Sequence, residues 1–371
     1  MSAKPGLVDW RLGERTAAAV IAGLPAVAGL AGTPPPSPDG YSATEVRAAC
    51  SDAISKTADY AGLGPVASPP VAELIDRREW SVNTLATLAE ASRPLEQRLA
   101  EDLNLPGPLG ALAHKVVGGA TGVEAGIAVG YVAKRVLGQY DVALFGPQRP
   151  ARLLFVAENM DHVRGQLDAD RATFLRWVAL HETTHVVQFE RIGWLAGYMR
   201  ELAGSLISAA ADGLDSSSLS ALAKRFVRDP RELVRVLMRG ELARLVADPE
   251  HAARLDRLQA TMSVIEGHAE HVMDACAADF GPELDELRRK LDERRARRSG
   301  LGEVVGRLLG IEAKLRQYEV GKEFCDGVVA EGGRGSLRLV WRSAADLPSL
   351  AELEDPVGWL SRVTEFSRQP A

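Results

Sequence analysis

A chain of 371 residues can bury a substantial core as one large domain or two, and 46% hydrophobic with 25% charged residues excludes a fibre or a disordered polymer. A formal net charge of −6 gives no broad electrostatic reason to expect a nucleic-acid partner. Three cysteines, Cys50, Cys276 and Cys325, are too few and too scattered for a disulfide framework or a paired-cysteine metal site, which fits a reducing compartment.

The opening MSAKPGLVDWRLGER meets charges before a signal-like apolar run develops, and the run that follows, VIAGLPAVAGLAG, is short and holds Pro25. A cytoplasmic protein without stable membrane insertion is the expectation. Residues 9–24 read as a first helix with Asp9 as N-cap. GTPPPSPDGYSAT breaks it, and Ser42 or Thr44 can start a second helix through Val46, Ala49 and Ala53. Residues 1–60 are thus expected to form a helical segment packed on a catalytic domain of residues 61–371.

After the turn GLGPVASPP, the stretch VAELIDRREWSVNTLATLAEASRPLEQRLAEDL is rich in helix formers and reads as one long helix or two joined near Arg93 and Pro94. Asp76, Arg77, Trp80 and Asn83 could line a site, although solvated charges around one anchoring aromatic would look the same. Residues 108–137 set six glycines among small apolar residues. Lys115 and Glu124 argue against a membrane span, and close packing against the helix over 171–190 is expected instead. QYDVALFGPQRPARLLFVAENM then holds two short apolar runs, YDVALF and RLLFV, on either side of GPQRP, a pattern that predicts a small hairpin. A sheet edge beside a catalytic helix could take an extended substrate as an added strand.

Residues 171–190, RATFLRWVALHETTHVVQFE, contain no Pro or Gly and repeat apolar residues at helical intervals, so a mostly buried helix is predicted. Four residues apart, His181 and His185 stand one turn above the other, where two imidazoles can converge on one ion. Glu182 lies about 100° round the helix from His181, able to face an attacking water without binding the ion. This is the HExxH arrangement of zinc hydrolases. The plainer alternative is an internally hydrogen-bonded polar cluster, since such groups on a buried helix are costly unless paired or metal-bound.

Beyond it, RIGWLAGYMRELAGSLISAA renews the helix after Gly193, residues 212–218 make a polar loop, and RDPRELVRVLMRG resumes a helical pattern. ELDELRRKLDERRARRSG reads as an exposed helix, its arginines interleaved with acids, and SLRLVW as a short strand or turn. A catalytic zinc site needs a third protein ligand. The best source is VIEGHAEHVMD, where Glu266, Glu270 and Asp274 share one helical face and His268 and His271 point to adjoining sectors. By chemistry alone Glu266, His268 and Glu270 all qualify.

HETTH followed downstream by EGHA resembles the gluzincins, in which a glutamate on a second helix completes a two-histidine zinc site. That resemblance implies Glu266 as the ligand beside His181 and His185, and Glu270 as a carboxylate orienting a histidine. VDWRLGERTA, IDRREWSVNTL, VLGQYDVAL, LLFVAENM, FLRWVALHETTHVVQFERIGWL and IEGHAEHVMD together resemble an actinobacterial zincin-like metallopeptidase or hydrolase family, a branch of which is associated with biosynthesis of the deazaflavin coenzyme. The resemblance implies a mainly α, zincin-like fold with a small β-hairpin or sheet beside the HExxH helix. The expected activity is Zn2+-dependent hydrolysis of a peptide bond with Glu182 as general base, and Tyr140, His271 and Tyr318 are candidates to stabilise the oxyanion. A zinc hydrolase of a small nonpeptide amide and a noncatalytic zinc-stabilised scaffold are the alternatives.

Overall fold

The computed structural model describes residues 7–23, 40–102, 108–146, 149–213, 249–277, 281–296 and 311–366. Local capping chemistry starts and stops the first helices. α1 (Trp10–Ala22) begins where Asp9 accepts the Leu12 N–H and ends at Gly23 in the left-handed region. α2 (Ala43–Ala61) begins at a reciprocal Ser42–Glu45 capping box. There follow β1 (Ala72–Ile75), α3 (Arg77–Asp102), α4 (Pro108–Ala133), β2 (Gly138–Asp141), β3 (Arg152–Val156), α5 (Ala157–Leu167), α6 (Arg171–Arg191) and α7 (Leu195–Gly213). The described C-terminal part comprises α8 (Pro249–Ala277), α9 (Pro282–Ala296), α10 (Ile311–Gly332), two 3-10 helices (Arg334–Trp341 and Ala344–Asp346), α11 (Leu350–Leu353) and α12 (Pro356–Phe366). The architecture is mainly helical with a small sheet, as expected, and α3 is continuous through Pro94. SLRLVW is 3-10 helix rather than strand. The helix expected over 228–240 lies outside the described residues, as does most of the loop expected over 212–218.

The hairpin gains a third strand. Strand order is β1-β3-β2, with β1 parallel to β3 and β2 antiparallel to it. Residues AELI of β1 carry good helix formers, which is why they read as helix; the parallel register Ala72↔Leu153 to Ile75↔Val156 overrides that preference. The first hairpin strand is also displaced, covering Gly138–Asp141 while residues 142–145 leave the sheet. In β3, Leu153 and Phe155 pack with α2 and α6, and Leu154 and Val156 with Trp80, Leu85 and Val129 of α3 and α4. Covered on both faces, the central strand is a continuous apolar run.

The glycines of α4 serve a different partner from the one expected. A Cβ built on Gly118, Gly122 or Gly126 would stand 2.0, 2.3 and 2.3 Å from the carbonyl oxygens of Leu7, Asp9 and Gly13. The four-residue spacing therefore makes a smooth groove that receives the backbone of α1 and the residues before it, not α6. Glu96 of α3 closes this corner, accepting from Val8 N–H and Trp10 Nε1–H at 3.0 Å each. Among the described residues no helix is long and apolar enough to cross a membrane.

α2 runs alongside α6 in the same direction and is tied to it at both ends. At the start Arg171 Nη2 meets Glu45 Oε2 at 2.8 Å and Tyr41 Oη donates to the Arg171 carbonyl; at the far end Arg191 Nε donates to the Leu63 carbonyl. Hydrogen bonds from Arg171 and then Ser42 hold the Glu45 carboxyl down at about 2. A carboxyl depressed in the folded state stabilises above its ordinary value of 4.5 and loses that contribution as pH falls through about 2. Glu45→Gln is therefore expected to be less stable than the parent at neutral pH, and the gap should close between pH 4.5 and about 2 in denaturation midpoints. A gap independent of pH would contradict this.

Candidate metal centre

α6 is buried along most of its length, and each polar group it carries inward has a local reason. Thr183 and Thr184, fully buried, return their hydroxyls to the carbonyls of Ala179 and Leu180 at 2.7 Å each. His181 and His185 instead point at each other and at α8, their Nε2 atoms 3.3 Å apart. Glu266 of α8 meets them: its Oε2 lies 3.6 Å from His181 Nε2 and 3.4 Å from His185 Nε2. One ligand atom from each of the three falls within 4.8 Å of the others, a group that could hold a metal ion. Glu266 Oε2 is buried and makes no hydrogen bond. An anionic oxygen left so, between two imidazole nitrogens, fits a bound cation.

The electrostatics point the same way. Burial opposes charge on His181, yet the carboxylates of Glu266, Glu182 and Glu270 outweigh it and push the imidazole up to about 9. Burial likewise raises Glu266, but His185 and His181 hold it well below the usual carboxylate range. The cluster is thus built around a positive charge, which a proton or a metal ion can supply.

Glu182 lies beside the cluster on the sheet side. Burial raises its pKa, against the opposing pull of His181 and His185, and the Tyr140 backbone N–H donates toward it. A Cβ on Gly138 would stand 2.6 Å from Glu182 Cγ, so β2 begins with a residue that leaves room for this side chain. Since β3 occupies one side of β2, Glu182 sits at the other edge of the sheet, which no strand among the described residues covers. The expected sheet edge beside the HExxH helix is present.

Gln188 was not among the residues singled out from the sequence. Its Oε1 is 2.8 Å from His185 Nδ1, and its Nε2 donates to the Ile265 carbonyl at 2.9 Å and faces His268 Nδ1 at 3.1 Å. The available signal was a polar residue three positions after His185, on its face of the helix. His268 stands edge to face on Trp341, away from the three-residue cluster, and burial followed by His271 and His185 pushes it down to about 3. Glu270 is buried near His181.

Two of the oxyanion candidates have hydrogen-bond partners of their own. Tyr140 Oη donates to Glu190 at 2.7 Å. His271 lies between Tyr60 Oη at 2.9 Å and Asp326 Oδ1 at 2.6 Å. Tyr318 falls on α10, with its side chain outside those described. Asp76 caps α3 through the Glu79 N–H, and buried Arg77 donates to Asn159 Oδ1. Trp80 and Asn83 line a small cleft with Gln139 and Asp141 on the α3 side of the sheet.

An HExxH helix joined by a glutamate from a second helix, on a mainly helical scaffold with a short sheet, defines the class as zincin-like. The chain belongs to the zincin-like metallopeptidase family, which it matches over residues 8–360. Among solved structures it is similar to a crystal structure described as "a putative hydrolase with a novel fold" from Chloroflexus aurantiacus. The two share 27% identity and a TM-score of 0.66, over 98% of this chain and 100% of that one. A search of curated proteins finds no match.

Proposed function

We propose that this chain is a zinc-dependent hydrolase of peptide bonds, with zinc held by His181, His185 and Glu266 and with Glu182 as general base. The observation that carries the reading is the buried, unpartnered Glu266 Oε2 facing both HExxH imidazoles. Family membership and the hydrolase described for the Chloroflexus protein support it. Zinc in such a site lowers the pKa of water and polarises a carbonyl. Glu182, its pKa raised by burial, takes the water proton at its carboxylate and passes it to the leaving amine, while the Tyr140 N–H and Gly138 hold the side chain in place. The edge of β2 away from β3, which no described strand covers, is where an extended peptide would add beside Glu182.

One feature favours a second reading, a small nonpeptide amide as substrate: Glu182 and His185 are only 6% and 8% exposed. Residues 61–371 form the catalytic unit in either case, and a cytoplasmic setting agrees with three buried, free cysteines. Metal analysis tests the centre. One zinc per chain is expected in the purified protein, with tightly bound zinc lost in His181→Ala and in Glu266→Ala; full retention in both would sink the assignment. Parallel screens of peptides and small amides, with zinc-free protein as control, separate the two substrate classes.

A further inference from the structure

The side chain of Gln188 is fully buried, and its surroundings determine the protonation of two histidines. A backbone carbonyl can only accept, so the Gln188 group 2.9 Å from the Ile265 oxygen is the amide nitrogen. The amide oxygen therefore faces His185 Nδ1 at 2.8 Å, and that ring nitrogen must carry a proton. The second amide hydrogen points to His268 Nδ1 at 3.1 Å, which must then accept, leaving the His268 proton on Nε2. His268 Nε2 has no hydrogen-bond partner, and the ring meets Trp341 edge to face.

We propose that Gln188 and His268 are positioning residues that hold His185 as the Nδ1–H tautomer, so that its Nε2 presents a lone pair to the cluster with His181 and Glu266. The proposal rests on the zinc reading for what that lone pair meets. In the metal-free protein it meets His181 Nε2, 3.3 Å away, which then donates to it. Ile265 and His268 flank Glu266 on α8, so one amide both orients a ligand on α6 and ties down the turn of α8 that carries the third. A histidine ligand is commonly oriented by a carboxylate or a backbone carbonyl. Here a neutral amide does so and adds no negative charge to a cluster already holding Glu182, Glu266 and Glu270.

Long-range 1H–15N spectra of the metal-free full chain read the tautomers directly. His185 is expected as Nδ1–H and His268 as Nε2–H, and in Gln188→Met, similar in length but without the amide, His185 should lose its single tautomer. Zinc affinity, measured by competition with a chelator at unchanged helical circular dichroism, should fall about 10- to 100-fold, the usual effect of removing a group that orients a ligand. His268→Phe, which keeps a ring against Trp341, should give a smaller loss in the same direction. An Nε2–H tautomer at His185 in the wild type, or undiminished zinc affinity in Gln188→Met, overturns the proposal. Should Gln188→Met fail to fold, the wild-type spectrum decides. A protein with the expected tautomers that binds no zinc would instead overturn the zinc reading and leave the assignment of His185 and His268 standing.

Discussion

Glu182→Gln is expected to keep the zinc content and the fold while lowering turnover by roughly 10²-fold or more, the scale of a positioned acid or base. The substitution preserves size, so the contact with Gly138 stays filled, and the amide oxygen can still accept from the Tyr140 N–H. What disappears is the basic carboxylate. Burial raises the Glu182 pKa, which means that its negative charge is carried at a cost in the folded state. Removing the charge should leave the melting temperature of the metal-free protein equal or higher. Glu182 as a mere structural acceptor predicts the reverse pattern, with normal turnover and lowered stability. Turnover on whichever peptide or amide the screen yields, measured beside zinc content and calorimetry, separates the two. Near-normal turnover by a zinc-loaded Glu182→Gln variant would reject the general-base role.

Gly267→Ala is expected to be among the most damaging single-methyl changes in the protein. In a helix interior this substitution ordinarily gains about 1 kcal/mol. Here the added Cβ would stand 2.0 Å from the Gly321 carbonyl carbon and 2.4 Å from the Lys322 nitrogen. These are backbone atoms of α10, which no side-chain rotation can clear. Overpacking of this kind costs typically about 1–3 kcal/mol and sometimes more, so a loss near ~3 kcal/mol is expected. Glu266 immediately precedes the contact, so forcing α8 away from α10 should also shift its carboxylate and weaken zinc binding. Gly165→Ala on α5, where a Cβ would meet nothing within 4 Å, is the control, with a gain of up to about 1 kcal/mol. Chemical denaturation of the two variants checks the pair, and equal stability for Gly267→Ala and the parent would refute the argument.

The two predictions draw on different depths of information. HETTH can be read from spacing alone, because a helix repeats about every 3.6 residues and two histidines four apart must share a face. The cap at Asp9 was also legible and that of α2 was narrowed to Ser42 or Thr44, since N-cap chemistry needs only three or four consecutive residues. In VIEGHAEHVMD the helical register placed Glu266, Glu270 and Asp274 together, but which acid or imidazole meets α6 depends on how two helices cross. Gln188 escaped notice for a related reason. Its partners, Ile265 and His268, are nearly 80 positions away, and only their arrival turns an ordinary glutamine into the group that orients His185.

By itself the sequence determined the mainly helical class, the HExxH helix with its general-base candidate, the position of β3 and the small-residue face of α4. These rest on periodicity and local propensity, which act over a few turns. Tertiary structure alone decided that AELI pairs as β1, that the glycines of α4 receive α1 and not α6, and that Glu182 faces the edge of β2 away from β3. A four-residue segment with helix propensity becomes a strand when β3 supplies an edge whose hydrogen bonds outweigh a preference worth a fraction of a kcal/mol per residue. A smooth glycine face accepts any backbone of the right curvature, so its spacing specifies close approach and leaves the choice of partner to the packing of the whole chain.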